Sequence, residues 1–142
     1  MTLDNLIGIN LERISPDPVA ITRLLEAAQR NITDAELVAL SNENRFDAAY
    51  KAIMQLANAA LQSAGFRTLT SKPGHHQTML QSLVKTIGID SDRVIVLDAL
   101  RKQRNIADYS GDLVADAAVA ECISQARQLL VLTKVWLQQK QH

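Results

Sequence analysis

Apolar residues recur along this chain at intervals of three and four, the spacing that lines them up on one face of a helix. From about Ser41 to Ala64 the series Phe46, Ala49, Tyr50, Ile53, Leu56, Ala57, Ala60 and Leu61 holds that spacing without a break, and Gly65 supplies a stop. Upstream, residues 1–16 read as a short amphipathic piece carrying Leu3, Leu6, Ile7 and Leu11. The run Ser15-Pro16-Asp17-Pro18 ends it and starts the next helix, with Asp17 as cap and Pro18 in the first helical position. Ile21, Leu24, Leu25 and Ala28 form that helix's apolar face. A break is expected at Asn31-Ile32-Thr33, with Thr33 and Glu36 as a capping box for a continuation through Leu40. Arg67 to Pro73 reads as a loop.

Pro73 and Gly74 open a third helix, whose apolar face is Met79, Leu80, Leu83 and Val84 and whose terminator is Gly88. Asp90 or Ser91 caps a fourth. After a break at Ser110-Gly111-Asp112 a last helix runs from about Leu113, with Leu113, Ala117, Ala120, Ile123, Leu130 and Leu137 on its buried side. No internal repeat, low-complexity tract or linker divides the chain. The pattern predicts an all-α fold: an up-and-down antiparallel helical bundle of four to five main helices, one domain over residues 1–142. Its core covers about 17–137, and a polar C-terminal tail follows.

Composition supports this reading and narrows the partners. Ala, Leu, Gln and Val dominate, while aromatics make up 4% of the chain, which favours packed helices over sheets. Fifteen basic and fifteen acidic residues cancel, so any contact with nucleic acid must rest on a local cluster of cations. A single cysteine, Cys122, excludes an intrachain disulfide; in its alanine-rich helix it reads as a small buried apolar side chain. No apolar stretch has the length of a membrane span, and the N-terminus lacks a signal-peptide pattern, so no membrane contact and a cytoplasmic location are expected.

The fourth helix carries the chemistry. Positions 94, 97, 101, 104, 105 and 108 follow one side at helical spacing, and along that line Val94 and Leu97 give way to Arg101, Arg104, Asn105 and Asp108. Ile95, Ala99 and Ile106 take the opposite side. A helix that turns polar along its inward line must satisfy those groups internally or present them to a cleft. Tyr109 follows at the helix end. On spacing alone a structural role remains open: Arg104 and Asp108 are an i,i+4 pair, Asn105 fits a carbonyl near the helix end, and Tyr109 fits a core ring with a wet hydroxyl.

The pattern Arg101-x-x-Arg104-Asn105-x-x-Asp108-Tyr109 resembles the signature of HEPN domains, small helical bundles of bacterial toxin–antitoxin and defence systems. It is closest to the branch whose motif reads Arg-Asn-x-x-Asp-Tyr. Asn44-Arg45-Phe46 followed by Ala49-Tyr50, Gly65-Phe66-Arg67, and Gly74-His75-His76 match further pieces, and the resemblance covers roughly residues 17–137. Many HEPN domains are metal-independent ribonucleases with an Arg-x4–6-His motif, working as dimers with their motifs facing across one cleft. The resemblance implies Arg104 and Tyr109 as catalytic positions, and Arg101, Asn105, Asp108 and His76 as substrate-binding positions.

One departure matters chemically. Arg104 stands at the motif's arginine, where a guanidinium binds phosphate and stabilises developing charge. Tyr109 stands where the histidine would move protons; a phenol with a pKa of about 10 is a poor base at neutral pH, though it donates hydrogen bonds. His76 is the candidate to fill that role, although paired histidines at a helix start are usually surface residues. Arg45 and Asp47 flank Phe46 on the second helix, where they either line the cleft or, as the commoner arrangement, form an exposed pair. The spacing of His, Cys and acidic residues suggests no metal site, and no cofactor is expected.

Three functions follow as expectations. The first is an RNA-directed HEPN-like homodimer, a metal-independent ribonuclease or an RNA binder derived from one. The second is a non-catalytic module partnering a nucleotidyltransferase or an antitoxin, with Tyr109 as a possible nucleotidylation site. The third is a homodimeric structural bundle in which the Arg104–Asp108 stretch forms a buried polar clasp.

Overall fold

Asp17 starts the first long helix by accepting a hydrogen bond from the Val19 N–H at 3.0 Å, and Pro18 occupies the first turn. That side chain satisfies a donor the helix leaves open, while proline brings no donor of its own. The helix, α1, spans Pro18–Ala35. This computed structural model describes residues 3–71, 74–111 and 113–140, and the side chains of Asp108 and Tyr109 lie outside the description.

The expected break at Asn31-Ile32-Thr33 is absent. Ala28, Ile32 and Ala35 are buried along one continuous face, so packing carries the helix through. Thr33 turns its hydroxyl back to the Gln29 carbonyl at 3.0 Å and caps nothing; the helix ends at Ala35, and residues 37–40 form an exposed turn rather than a continuation.

Ser41 accepts from the Asn44 N–H at 3.2 Å and opens α2, Asn42–Ser63, within one residue of the predicted helix at each end. This helix is the centre of the bundle. Phe46, Ala49, Ile53, Leu56, Ala57, Ala60 and Leu61 are buried, and so are Ala52 and Ala59, so small residues on several sides let other elements approach closely. α2 contacts α1 and all the later helices.

Two segments are strands where helix and loop were expected. A 3₁₀ turn at Leu3–Leu6 leads into β1, Leu11–Arg13, which pairs antiparallel with β2, Phe66–Thr68; Leu11 lies opposite Thr68 and Arg13 opposite Phe66. Phe66 and Thr68 point inward and Arg67 outward, a two-residue alternation too short to stand out from helical spacing. Leu11 is fully buried, so the core begins before residue 17.

Pro73 lies outside the described residues. Gly74, at φ +77°, precedes α3, His75–Ser82, which stops well short of Gly88. Turns anchored on the Ser82 carbonyl bridge the gap, and the Gly88 N–H closes on Leu83 O at 3.0 Å. Asp90 then caps α4, Ser91–Ser110, by accepting from the Arg93 N–H at 2.9 Å, and Gly111 ends it in the left-handed region. Asp112 lies outside the described residues.

α5 spans Asp116–Lys140 and starts later than predicted, because Asn42 holds the connection: its side-chain amide donates to Val114 O at 2.9 Å and to Asp116 Oδ1 at 2.8 Å. Leu113 therefore precedes the helix and is exposed, as are Ala117 and Ala120. The buried stripe is Val119, Cys122, Ile123, Ala126, Leu129, Leu130, Thr133 and Leu137, which keeps only the last part of the expected face. The fold is an all-α bundle around α2 with one small sheet. Among the described residues no helix is long and apolar enough to cross a membrane.

Candidate functional site

α4 presents its apolar residues Ile95 and Ile106 to solvent while Leu97 and Leu100 face the core, and the polar line stays partly buried on the inward side at Arg101 and Arg104. That line meets α2 and α3 at a groove of about 730 Å³. Arg104 reaches it from α4, His76 from the first turn of α3, and Asp47, Tyr50, Lys51, Met54 and Gln55 from α2. Asp47, Lys51 and Gln55 recur every four residues, a polar stripe beside the buried face of the central helix.

Tyr50 stands at the junction. Its side chain is 3% exposed, and its hydroxyl lies 3.3 Å from His76 Nδ1. Burial pushes the phenol up to about 12, only partly opposed by Arg104 and Arg101, so the hydroxyl keeps its proton at neutral pH. It donates to Nδ1 or accepts from it according to the imidazole tautomer, and in either case holds the ring. His76 is lowered from the ordinary histidine value, first by burial, then by His75, Arg104 and Arg101, all of which disfavour a second positive charge. The neutral imidazole is thus its form at pH 7. His75 sits edge-on to it with ring centroids 4.5 Å apart.

Arg104 places Nε 3.3 Å from Asp47 Oδ1 and its guanidinium 5.3 Å from the centroid of the Tyr50 ring. One side chain of α2 therefore attracts it by charge and another by its aromatic face. The Arg104 side chain lines the groove and keeps 32% of its surface exposed.

The sequence candidates separate at this point. Arg104 and His76, distant in the chain, come together around Tyr50. Arg101 is held within α4 instead: its Nε bonds Asp98 Oδ1 at 2.7 Å, and that bond keeps the Asp98 carboxyl below the usual range. Arg101 acts on Tyr50 and His76 only through its charge. Asn105 is exposed. Asp108 and Tyr109 belong to α4, but their side chains lie outside the described residues. The expected surface pair of Arg45 and Asp47 does not form as such, since Arg45 donates to Ala35 O at 2.8 Å, at the end of α1, while Asp47 turns to Arg104.

Tyr50 is the residue that sequence reasoning undervalued, while Asp47 takes the cleft position that was the less favoured of its two readings. Tyr50 was legible as a core position, but nothing in the pattern of α2 alone tells which other helix supplies its partners. Cys122 is fully buried, as expected, and takes no part in the groove. Among the described residues no three His, Cys, Asp or Glu side chains converge as a metal-binding group. Comparison with protein-family models, curated proteins and solved structures finds no match to this chain.

Proposed function

We propose that this chain is a HEPN-like, RNA-directed protein, a metal-independent ribonuclease or an RNA binder derived from one, in which Arg104 and His76 work together. The observation that carries this reading is their convergence on Tyr50 in one groove. Arg104 supplies a planar, permanently charged donor for a phosphate. His76 supplies a neutral imidazole suited to take a proton from a ribose 2′-hydroxyl, and Tyr50 holds the ring while it does so. This restores from α3 the proton-transfer half that Tyr109 leaves incomplete in the α4 motif. Arg101, Asn105 and Asp108 keep the substrate-binding roles, and Tyr109 the catalytic position, that the resemblance implies. In this reading the chain acts as a cytoplasmic homodimer of a toxin–antitoxin or defence system, and dimerisation doubles the local cationic charge that the neutral chain lacks.

A second reading draws on a different observation. Asp47 and Asp98 already compensate Arg104 and Arg101, and Asp34 adds another carboxylate to the groove. Such balanced charge suits a non-catalytic module that partners a nucleotidyltransferase or an antitoxin.

The deciding experiment incubates purified protein with labelled single-stranded RNA and compares wild type with Arg104→Ala and His76→Ala. Loss of cleavage in both variants supports the ribonuclease. Loss of binding in Arg104→Ala alone supports the RNA binder. Identical behaviour of all three proteins overturns the RNA-directed reading.

A further inference from the structure

We propose that the groove beside Arg104 and His76 seats one unpaired nucleobase of the RNA, held against Met54 and Met79 and recognised by the amide pair Asn31–Gln55. The inference rests on the RNA-directed reading and adds to it a second subsite, away from the phosphate end.

The groove has two chemically different ends. One holds the cation and imidazole described above. The other lies further along α2, at Met54 and Gln55, where Asn31 of α1 bonds Gln55; Met79 of α3 also lines the groove. From Asp47 to Gln55 the α2 backbone rises about 12 Å, a length comparable to that of a nucleotide from its phosphate to the far edge of its base. A phosphate at Arg104 therefore brings the base of the same nucleotide toward the amide end.

Methionine suits an aromatic ring there, because its polarisable sulfur makes favourable contacts with ring edges and its flexible chain adapts to either ring size. Met54 and Met79 are both largely buried, so they form a floor rather than a mobile fringe. The amides supply the edge recognition. Asn31 Nδ2 donates to Gln55 Oε1 at 2.8 Å in a partly buried setting. That bond fixes both side chains and uses one donor and one acceptor, leaving the Gln55 N–H groups and the Asn31 carbonyl for a ligand. A donor beside an acceptor complements the edge of an unpaired base, and single-stranded RNA is read mainly through such splayed-out bases. A duplex hides those edges, so the site selects single strands.

The test measures binding of a fluorescein-labelled single-stranded RNA and of the same RNA carrying abasic ribose residues. Wild type is expected to prefer the base-bearing strand by about tenfold, in line with the usual worth of one seated base. Gln55→Glu still accepts from Asn31 but loses the donor, and it should narrow that ratio several-fold; Gln55→Leu should do the same, which guards against a folding defect in either variant. Arg104→Ala should weaken both strands together. Equal wild-type affinity for the two strands, with Arg104 still required, overturns the base subsite and leaves the RNA reading standing. No Arg104-dependent binding of either strand overturns both.

Discussion

The Tyr50 hydroxyl and His76 Nδ1 lie 3.3 Å apart, and this contact ties the buried centre of α2 to the first turn of α3. A histidine at the start of a short helix ordinarily projects into water. Here the neighbouring phenol is nearly sequestered, and the imidazole that meets it is partly buried and feels the charges of Arg104 and Arg101 of α4. The groove owes its chemistry to that arrangement more than to any single motif.

His76 should titrate below about 6.5, the ordinary value for histidine. Burial is the largest cause, followed by His75, Arg104 and Arg101. Between the lowered value and about 6.5 the unfolded chain binds more protons than the folded one, so stability from this group falls as pH falls through that window. Following the ring-proton NMR signals with pH measures the midpoint directly. Arg104→Ala should raise it, because one repelling cation is gone; a wild-type midpoint at or above the ordinary value would contradict the structure.

Asp98 should behave in the opposite sense. Its side chain is 19% exposed and that of Arg101 17%, and the hydrogen bond from Arg101 holds the carboxyl below its usual value. The stabilisation is present above about 3.9 and is lost as pH falls through the lowered folded-state value. Asp98→Asn should lower stability at pH 7 by about 1 kcal/mol, read as a lower urea midpoint. The gap between variant and wild type should shrink in acid, once Asp98 is protonated in both the folded and unfolded wild type.

The legibility of this chain follows the length of its signals. α2 was readable almost to the residue, since its apolar series is long and Ser41 and Gly65 mark its ends. α4 was readable in a subtler way: Ile95 and Ile106 on the far side implied an inward polar line, and both are exposed. β1 and β2 were missed because three residues of alternation carry too little periodicity to compete with helical spacing. The start of α5 was missed because Asn42, far away in the chain, sets it. The same reason hid the site. Arg104 and His76 were each visible as candidates, but Tyr50 and Asp47 gain their roles only when three helices meet.

Cys122 should be inert in the folded protein. Its side chain is fully buried in α5, and burial, reinforced by Asp47 and Glu121, pushes the thiol up to about 12. Alkylation by iodoacetamide at pH 8 should therefore wait on unfolding, since only the thiolate reacts. The folded state also holds this proton more tightly than the unfolded state does. Its stabilising contribution is complete below about 8.5 and is lost as pH rises toward 12. Rapid labelling of native protein, with kinetics independent of urea, would contradict this burial.

Phe46 and Val38 set up the sharpest contrast in stability. Both are large apolar residues near the junction of α1 and α2, yet Phe46 is 1% exposed and Val38 is 83% exposed. Phe46 sits in the first part of α2 with its side chain in the hydrophobic core, and its backbone carbonyl accepts a weak hydrogen bond from the Cys122 thiol of α5 at 3.8 Å. Phe46→Ala removes that ring and leaves a cavity, a loss of about 3–5 kcal/mol. Val38→Ser removes almost no contact and should shift stability by less than about 0.5 kcal/mol. Because Asp47 follows directly in the chain, loosening the backbone at Phe46 should also disturb the Asp47–Arg104 pair. Chemical denaturation of the two variants gives the stabilities, and the His76 NMR midpoint reports the groove: it should move in Phe46→Ala and stay fixed in Val38→Ser.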